Sequence, residues 1–188
     1  MFAPQKPIEA QLAQSDCFRP IPAHLKDDIL EPYKQECVYI KAAYRDTSFE
    51  KELVAVAEVC VPQTFYGSQT GHFNAVESLL CLNQLAFVSI ADFVVSDEAH
   101  EFHKAIKTTC IQSFKDNVLT RTFITSVGMQ FKRTLDGQKV FMRLAFTKCR
   151  AHAGMVFLVS EFAFIDGSRS FDSRPAFVGQ ATFAIPTM

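Results

Sequence analysis

The stretch FNAVESLLCLNQLAFVSIADFVV, from Phe73 to Val95, limits what the rest of the chain can become. Val76, Leu79, Leu80, Leu82, Leu85, Phe87, Val88, Ile90, Phe93 and Val94 leave no face of a helix polar. A helix that is apolar all round has to be enclosed on every side. Its length would suit a membrane span. Glu77, Asn83, Gln84 and Asp92 interrupt it, however, and strand-like segments flank it, so enclosure inside the protein is the expectation. Asn74 precedes the run with Glu77 three positions later, the spacing of a side-chain cap with a reciprocating carboxylate.

The flanks supply the enclosure. Before the helix, CVYIKAAYRD and ELVAVAEVCVP read as two strands joined through TSFEK, with QTFYGSQTG as a loop after Pro62. After it, Ser96-Asp97-Glu98 predicts the start of an amphipathic helix, in which Phe102, Ile106 and Cys110 keep helical spacing. LTRTFITSVGMQFKR then alternates, and Asp136-Gly137 is the strongest short hairpin signal in the chain. KVFMRLAFTKC, a turn near Ala153-Gly154, MVFLVSEFAFID and PAFVGQATFAI complete about six strands. An antiparallel sheet wrapped around one long buried helix hides such a helix most simply, which is an α+β fold of the hot-dog layout. The 188 residues are expected to form a single domain, 1–188, with residues 73–95 as the central helix. Residues 1–35 read as a Pro-rich irregular arm with a short helix near AHLKDDIL.

Composition narrows the partners. Nineteen Phe and no Trp bring much apolar surface, most of it destined for the core, with a weak pointer to an acyl tunnel. A net charge of −1 argues against a nucleic-acid footprint. The six Cys form no C-x-x-C pair, and MFAPQKPIEAQ has no apolar signal core, so a cytoplasmic chain with reduced thiols is expected. His100-x-x-His103 lacks companions for a zinc set, and Cys81 lies in an apolar run without cationic neighbours. No metal or cofactor is expected, nor is a membrane partner.

The candidate chemistry sits in and beside the central helix. Asn74 as a cap, Asn83 as an amide satisfied by backbone, and Tyr66 as a half-buried aromatic each have a structural explanation. Together they are less ordinary. A buried amide without partners costs about 1–3 kcal/mol, and its NH2 suits a carbonyl oxygen. A helix start adds oriented N–H groups and a positive dipole end. With a phenol, these groups favour negative charge on a thioester oxygen. The expectation is that Tyr66, Asn74 and Asn83 grip one acyl oxygen.

Most of the chain, and residues 60–95 above all, resembles the FcoT-type long-chain fatty acyl-CoA thioesterase family of hot-dog fold. The resemblance implies that Tyr66 before the helix, Asn74 at its start and Asn83 within it belong to an active site. It also implies that Tyr33, in LEPYKQ of the arm, helps to bind substrate. Relatives of that family in isonitrile and β-amino-acid biosynthesis add the amine of glycine to the β-carbon of a 2-enoyl chain, held as a thioester on an acyl carrier protein (ACP).

Amides cannot abstract a proton from water, whereas conjugate addition asks for carbonyl polarisation and a place for a neutral amine. The reading therefore leans to glycine addition to a (2E)-enoyl-ACP. His72, two residues before Asn74, would deprotonate the glycine ammonium or hold its carboxylate, although a solvated loop residue explains it equally well. The cation for that carboxylate, Arg121 in a strand or one of several Lys, stays open. Hydrolysis of fatty acyl-CoA or acyl-ACP at the same site is the alternative, and a non-catalytic acyl-binding domain is the second. Analogy with hot-dog proteins implies a homodimer or larger homo-oligomer.

Overall fold

The computed structural model describes residues 7–49, 52–64, 73–96, 111–171 and 173–186. Its frame is one seven-stranded antiparallel sheet, in the order β1-β2-β3-β5-β6-β7-β4. The strands are β1 (Phe18–Pro20), β2 (Ile40–Asp46), β3 (Leu53–Val59), β4 (Phe123–Phe131), β5 (Val140–His152), β6 (Met155–Asp166) and β7 (Phe177–Pro186). Among the described residues, the helices of about two turns or more are α1 (Ile8–Gln14), α2 (Ala23–Leu30) and the central α3 (Ala75–Val95).

The central helix is enclosed as its composition demands. Cys81, Leu82, Leu85, Val88 and Ile90 are fully buried against Met142, Leu144, Phe146, Leu158, Phe164 and Phe183 of the sheet. By length and composition α3 could cross a membrane, yet 72% of its most apolar window is buried by the rest of the chain. The opposite sheet face is covered in part by α1, whose Ile8 and Leu12 pack on Val56, Phe141 and Ile165. This is the hot-dog fold, with seven strands instead of about six.

The extra strand comes from the arm, which is more regular than its prolines suggest. Pro7 and Pro22 stand at the N-caps of α1 and α2, and Pro20 closes β1 at the sheet edge. These are positions where a missing N–H costs nothing. Pairing of Phe18–Pro20 with Tyr44–Asp46 makes β1 the outer neighbour of β2.

The Asp136-Gly137 turn forms, but it does not make a hairpin. Gln138 N–H donates to Asp136 Oδ1 at 3.0 Å, while Val61 N–H donates to the Gly137 carbonyl at 2.7 Å. The flanking strands part company: β4 pairs with β7, and β5 pairs with β3 and β6. The tight hairpin lies instead at Ala153-Gly154, where φ values of 48° and 76° link His152 to its partner Met155. Two residues at positive φ match the right-handed strand twist. Ser96, the expected start of an amphipathic helix, is the C-cap of α3, and the rest of that helix falls on residues outside those described. Beyond them the chain is helical at Ile111–Ser113 and continues in wider π-type turns over Phe114–Leu119.

Candidate active site

The start of α3 is built as the sequence spacing predicts. Asn74 is extended, its Oδ1 accepts the Val76 N–H at 2.8 Å, and its own N–H donates to Glu77 Oε2 at 3.2 Å. The Glu77 side chain is 0% exposed, so this carboxylate is committed to the cap inside the core. Phe73 fixes the helix mouth on the sheet: its N–H donates to the Leu135 carbonyl, and its ring lies 4.9 Å from Phe164 and 5.5 Å from Phe177.

Further along, two neighbouring amides are treated in opposite ways. Gln84 is fully buried and saturated by backbone. Its Oε1 accepts the N–H groups of Tyr39 at 3.0 Å and Ile40 at 3.3 Å, and its Nε2 donates to the Cys37 carbonyl at 2.6 Å. Asn83 is half-buried and makes no side-chain hydrogen bond to the described residues. It shares a helix face with Val76, which is 44% exposed, and with the half-buried Leu79 and Leu80. Spacings of three, four and seven residues put these side chains in one stripe. The stripe is apolar apart from Asn83.

Asn74 and Asn83 are not brought together. Nine residues of α-helix separate them by about 13 Å along the axis and about half a turn around it. Within one chain the two amides therefore serve different atoms, and a grip of both on one oxygen is replaced by two polar stations. Tyr66 and His72 lie outside the described residues.

Tyr33 follows α2, its N–H bonded to the Leu30 carbonyl, and its half-buried ring packs on the core. Burial pushes its phenol up to about 12, so it remains a proton donor across the physiological range. Arg121 precedes β4 in an exposed turn and is not in a strand. It lies beyond the end of β4 opposite to the one that meets the helix start, where Met129 Sδ is 3.5 Å from Ser78 Oγ. That removes it from the neighbourhood of Asn74.

Other reactive groups are quiet. Burial pushes the Cys81 thiol well above its ordinary range, and nearby Glu77 adds to the shift. Among the described residues Cys17, Cys37, Cys60 and Cys81 are free thiols, and no cluster of His, Cys, Asp or Glu is arranged for a metal. His100 and His103 fall outside those residues. The sequence reading noted Gln84 and Asp92 only as interruptions, although a polar group in an all-round apolar helix is itself a sign that something bonds it. Asp92 Oδ2 lies 2.9 Å from both Arg19 Nη2 and Arg45 Nη2. Arg45 also donates to Ser96 Oγ at 3.1 Å and stacks over Phe93.

The arrangement offers a half-open apolar stripe with one uncommitted amide, a capped helix mouth, and an arm carrying a protonated phenol. Such a site can hold an acyl chain and donate to an acyl oxygen. The family model described as an FcoT-like thioesterase domain matches residues 28–182. A (2E)-enoyl-ACP glycyltransferase of Mycobacterium bovis is 33% identical over 127 residues, covering 66% of this chain and 66% of that protein. One of the same description from Streptomyces coeruleorubidus is 27% identical over 112 residues, covering 60% and 65%. The chain thus spans about two thirds of the length of the curated relatives it matches. Among solved structures, a thioesterase family protein from Silicibacter pomeroyi is 11% identical with a TM-score of 0.48, covering 88% of this chain and 98% of that one.

Proposed function

This chain belongs to the FcoT-like thioesterase domain family, and on that premise we propose that it adds the amine of glycine to the β-carbon of a (2E)-enoyl thioester carried on ACP. The observation that carries the reading is Asn83: an amide with no side-chain hydrogen bond to the described residues, half-buried in an apolar stripe. The acyl chain lies along Val76, Leu79 and Leu80, and the Asn83 NH2 donates to the thioester carbonyl oxygen. Tyr66, which lies outside the described residues, is proposed as a second donor to that oxygen. Asn74 contributes at the helix mouth, where the capped N-terminus favours negative charge.

The reaction then needs no leaving group. His72 takes one proton from the glycine ammonium, and the freed nitrogen lone pair forms a bond to Cβ. The Cα=Cβ pair moves toward the carbonyl, and the charge that develops on oxygen is stabilised by the amide and phenol donors. The proton returns at Cα, which leaves a 3-(carboxymethylamino)acyl thioester and consumes no water. Burial of Glu77 in the cap supports addition over hydrolysis, because the carboxylate nearest the helix start is not presented to a water molecule. Tyr33, protonated on the arm, binds substrate from the side.

We also propose that a second copy pairs along β4. This nine-residue edge strand presents Phe123 (56% exposed), Val127 and Phe131 to solvent, a surface that isolated chains seldom leave bare.

Incubation with an enoyl thioester, with and without glycine, tests the activity by product mass. The expected product has the combined mass of both reactants and appears only with glycine. Free acid formed at one rate in both mixtures, or bound thioester that never turns over, would overturn it.

A further inference from the structure

We infer that Gln84 is a positioning residue of this site, one that holds the arm carrying Tyr33 and turns Asn83 to the open stripe. The inference rests on the site assignment above. Gln84 spans the stretch of backbone that leads from the arm into the sheet: Cys37 ends a short 3-10 turn, Tyr39 precedes β2, and Ile40 opens it. Three hydrogen bonds from one buried side chain fix that stretch to the helix in direction as well as distance. On the other side of Tyr33 the start of α2 is tied to β2, by the Ile21 N–H to the Ala43 carbonyl at 2.8 Å and by Lys26 Nζ to the Lys41 carbonyl at 3.2 Å. Its last turn carries an exposed ion pair, Asp28 to Lys115, and is otherwise held against α3 through Ile29 and Leu30, by apolar packing that is non-directional.

Tyr33 lies three residues after Leu30 and four before Cys37, suspended between the two anchors. Without Gln84, the turn between Leu30 and Cys37 loses its directional tie to α3, and the phenol it carries shifts. The same clamp sets the rotation of the helix. Adjacent residues point about 100° apart, so locking Gln84 onto the arm leaves Asn83 facing the stripe.

The test compares Gln84→Met, which keeps length and removes all three bonds, with Gln84→Glu, which keeps the acceptor and loses the donor to Cys37. In Gln84→Met, kcat for glycine addition is expected to fall about 10- to 100-fold, with a smaller change in KM for the enoyl thioester. Tyr33→Phe should cost little more in that background, because the phenol is already displaced, and the buried Cys37 thiol should become open to alkylation. Gln84→Glu is expected to lie between the two and serves if Gln84→Met does not fold. Losses from Tyr33→Phe and Gln84→Met that simply multiply, or an unchanged kcat in Gln84→Met, overturn the inference. In the unaltered protein the Tyr39 and Ile40 amides should exchange hydrogen as slowly as the core of α3, and rapid exchange there also overturns it. Failure of the site assignment looks different: Asn83→Ala and Tyr33→Phe would each leave glycine addition intact.

Discussion

The closed and open sides of the central helix handle polar side chains by different rules. On the closed side Glu77, Gln84 and Asp92 are buried to within 1% of full enclosure, and each one is bonded: to the cap, to the arm, and to two arginines. On the open side Asn83 is only half-buried and bonded to none of the described side chains or backbone groups through its own side chain. The same helix thus shows that this core accepts polar groups when their hydrogen bonds are filled from within. Asn83 departs from that rule where the helix is partly uncovered, which is where a substrate oxygen can complete it.

Substitutions can break this contrast. Asp92→Ala should be the most costly, about 3–5 kcal/mol in denaturant unfolding, because it strands the buried Arg45 guanidinium; activity per folded molecule should hold. Asn83→Ala should do the reverse. Turnover is expected to drop about 10²- to 10³-fold, while stability stays within about 0.5 kcal/mol. Equal losses of both would move Asn83 to the closed side of the comparison. Gln84→Met should affect both readouts, with about 2–3 kcal/mol lost as buried backbone groups go unpaired.

Tyr33 sharpens the contrast through alkaline pH. Its phenol ionises near 12 in the folded chain against an ordinary 10. Stability from the neutral phenol is therefore complete below pH 10 and is lost as pH rises toward about 12. Tyr33→Phe should flatten that part of an alkaline unfolding curve. Ala153→Gly, at a left-handed position remote from both sides, should give the smallest change, a gain of about 0.5–1 kcal/mol in stability with no change in turnover.

What could be read from sequence follows the range of each interaction. The Asn74–Glu77 cap, the β2–β3 pairing and the Ala153-Gly154 turn depend on residues a few positions apart, and all were legible. Asp136-Gly137 shows the limit: turn chemistry is local, but the choice of strand neighbours belongs to the whole sheet, and there β4 joined β7. Gln84 was visible as a residue and not as a clamp, since its partners lie 44 to 47 residues upstream. The separation of Asn74 from Asn83, by contrast, was present in their spacing all along, because nine helical residues cannot bring two side chains to one atom.

The two borders of the sheet differ, and the difference has a consequence for growth. At one border β1 is three residues long and finishes at Pro20, which has no N–H to offer. At the other, β4 runs for nine residues without proline. Strand addition can then proceed from one side of the molecule only. In the pair proposed above, two such borders meeting about a twofold axis would leave no long border to extend, and the bluntness of the shorter margin would keep the pair from stacking into fibres.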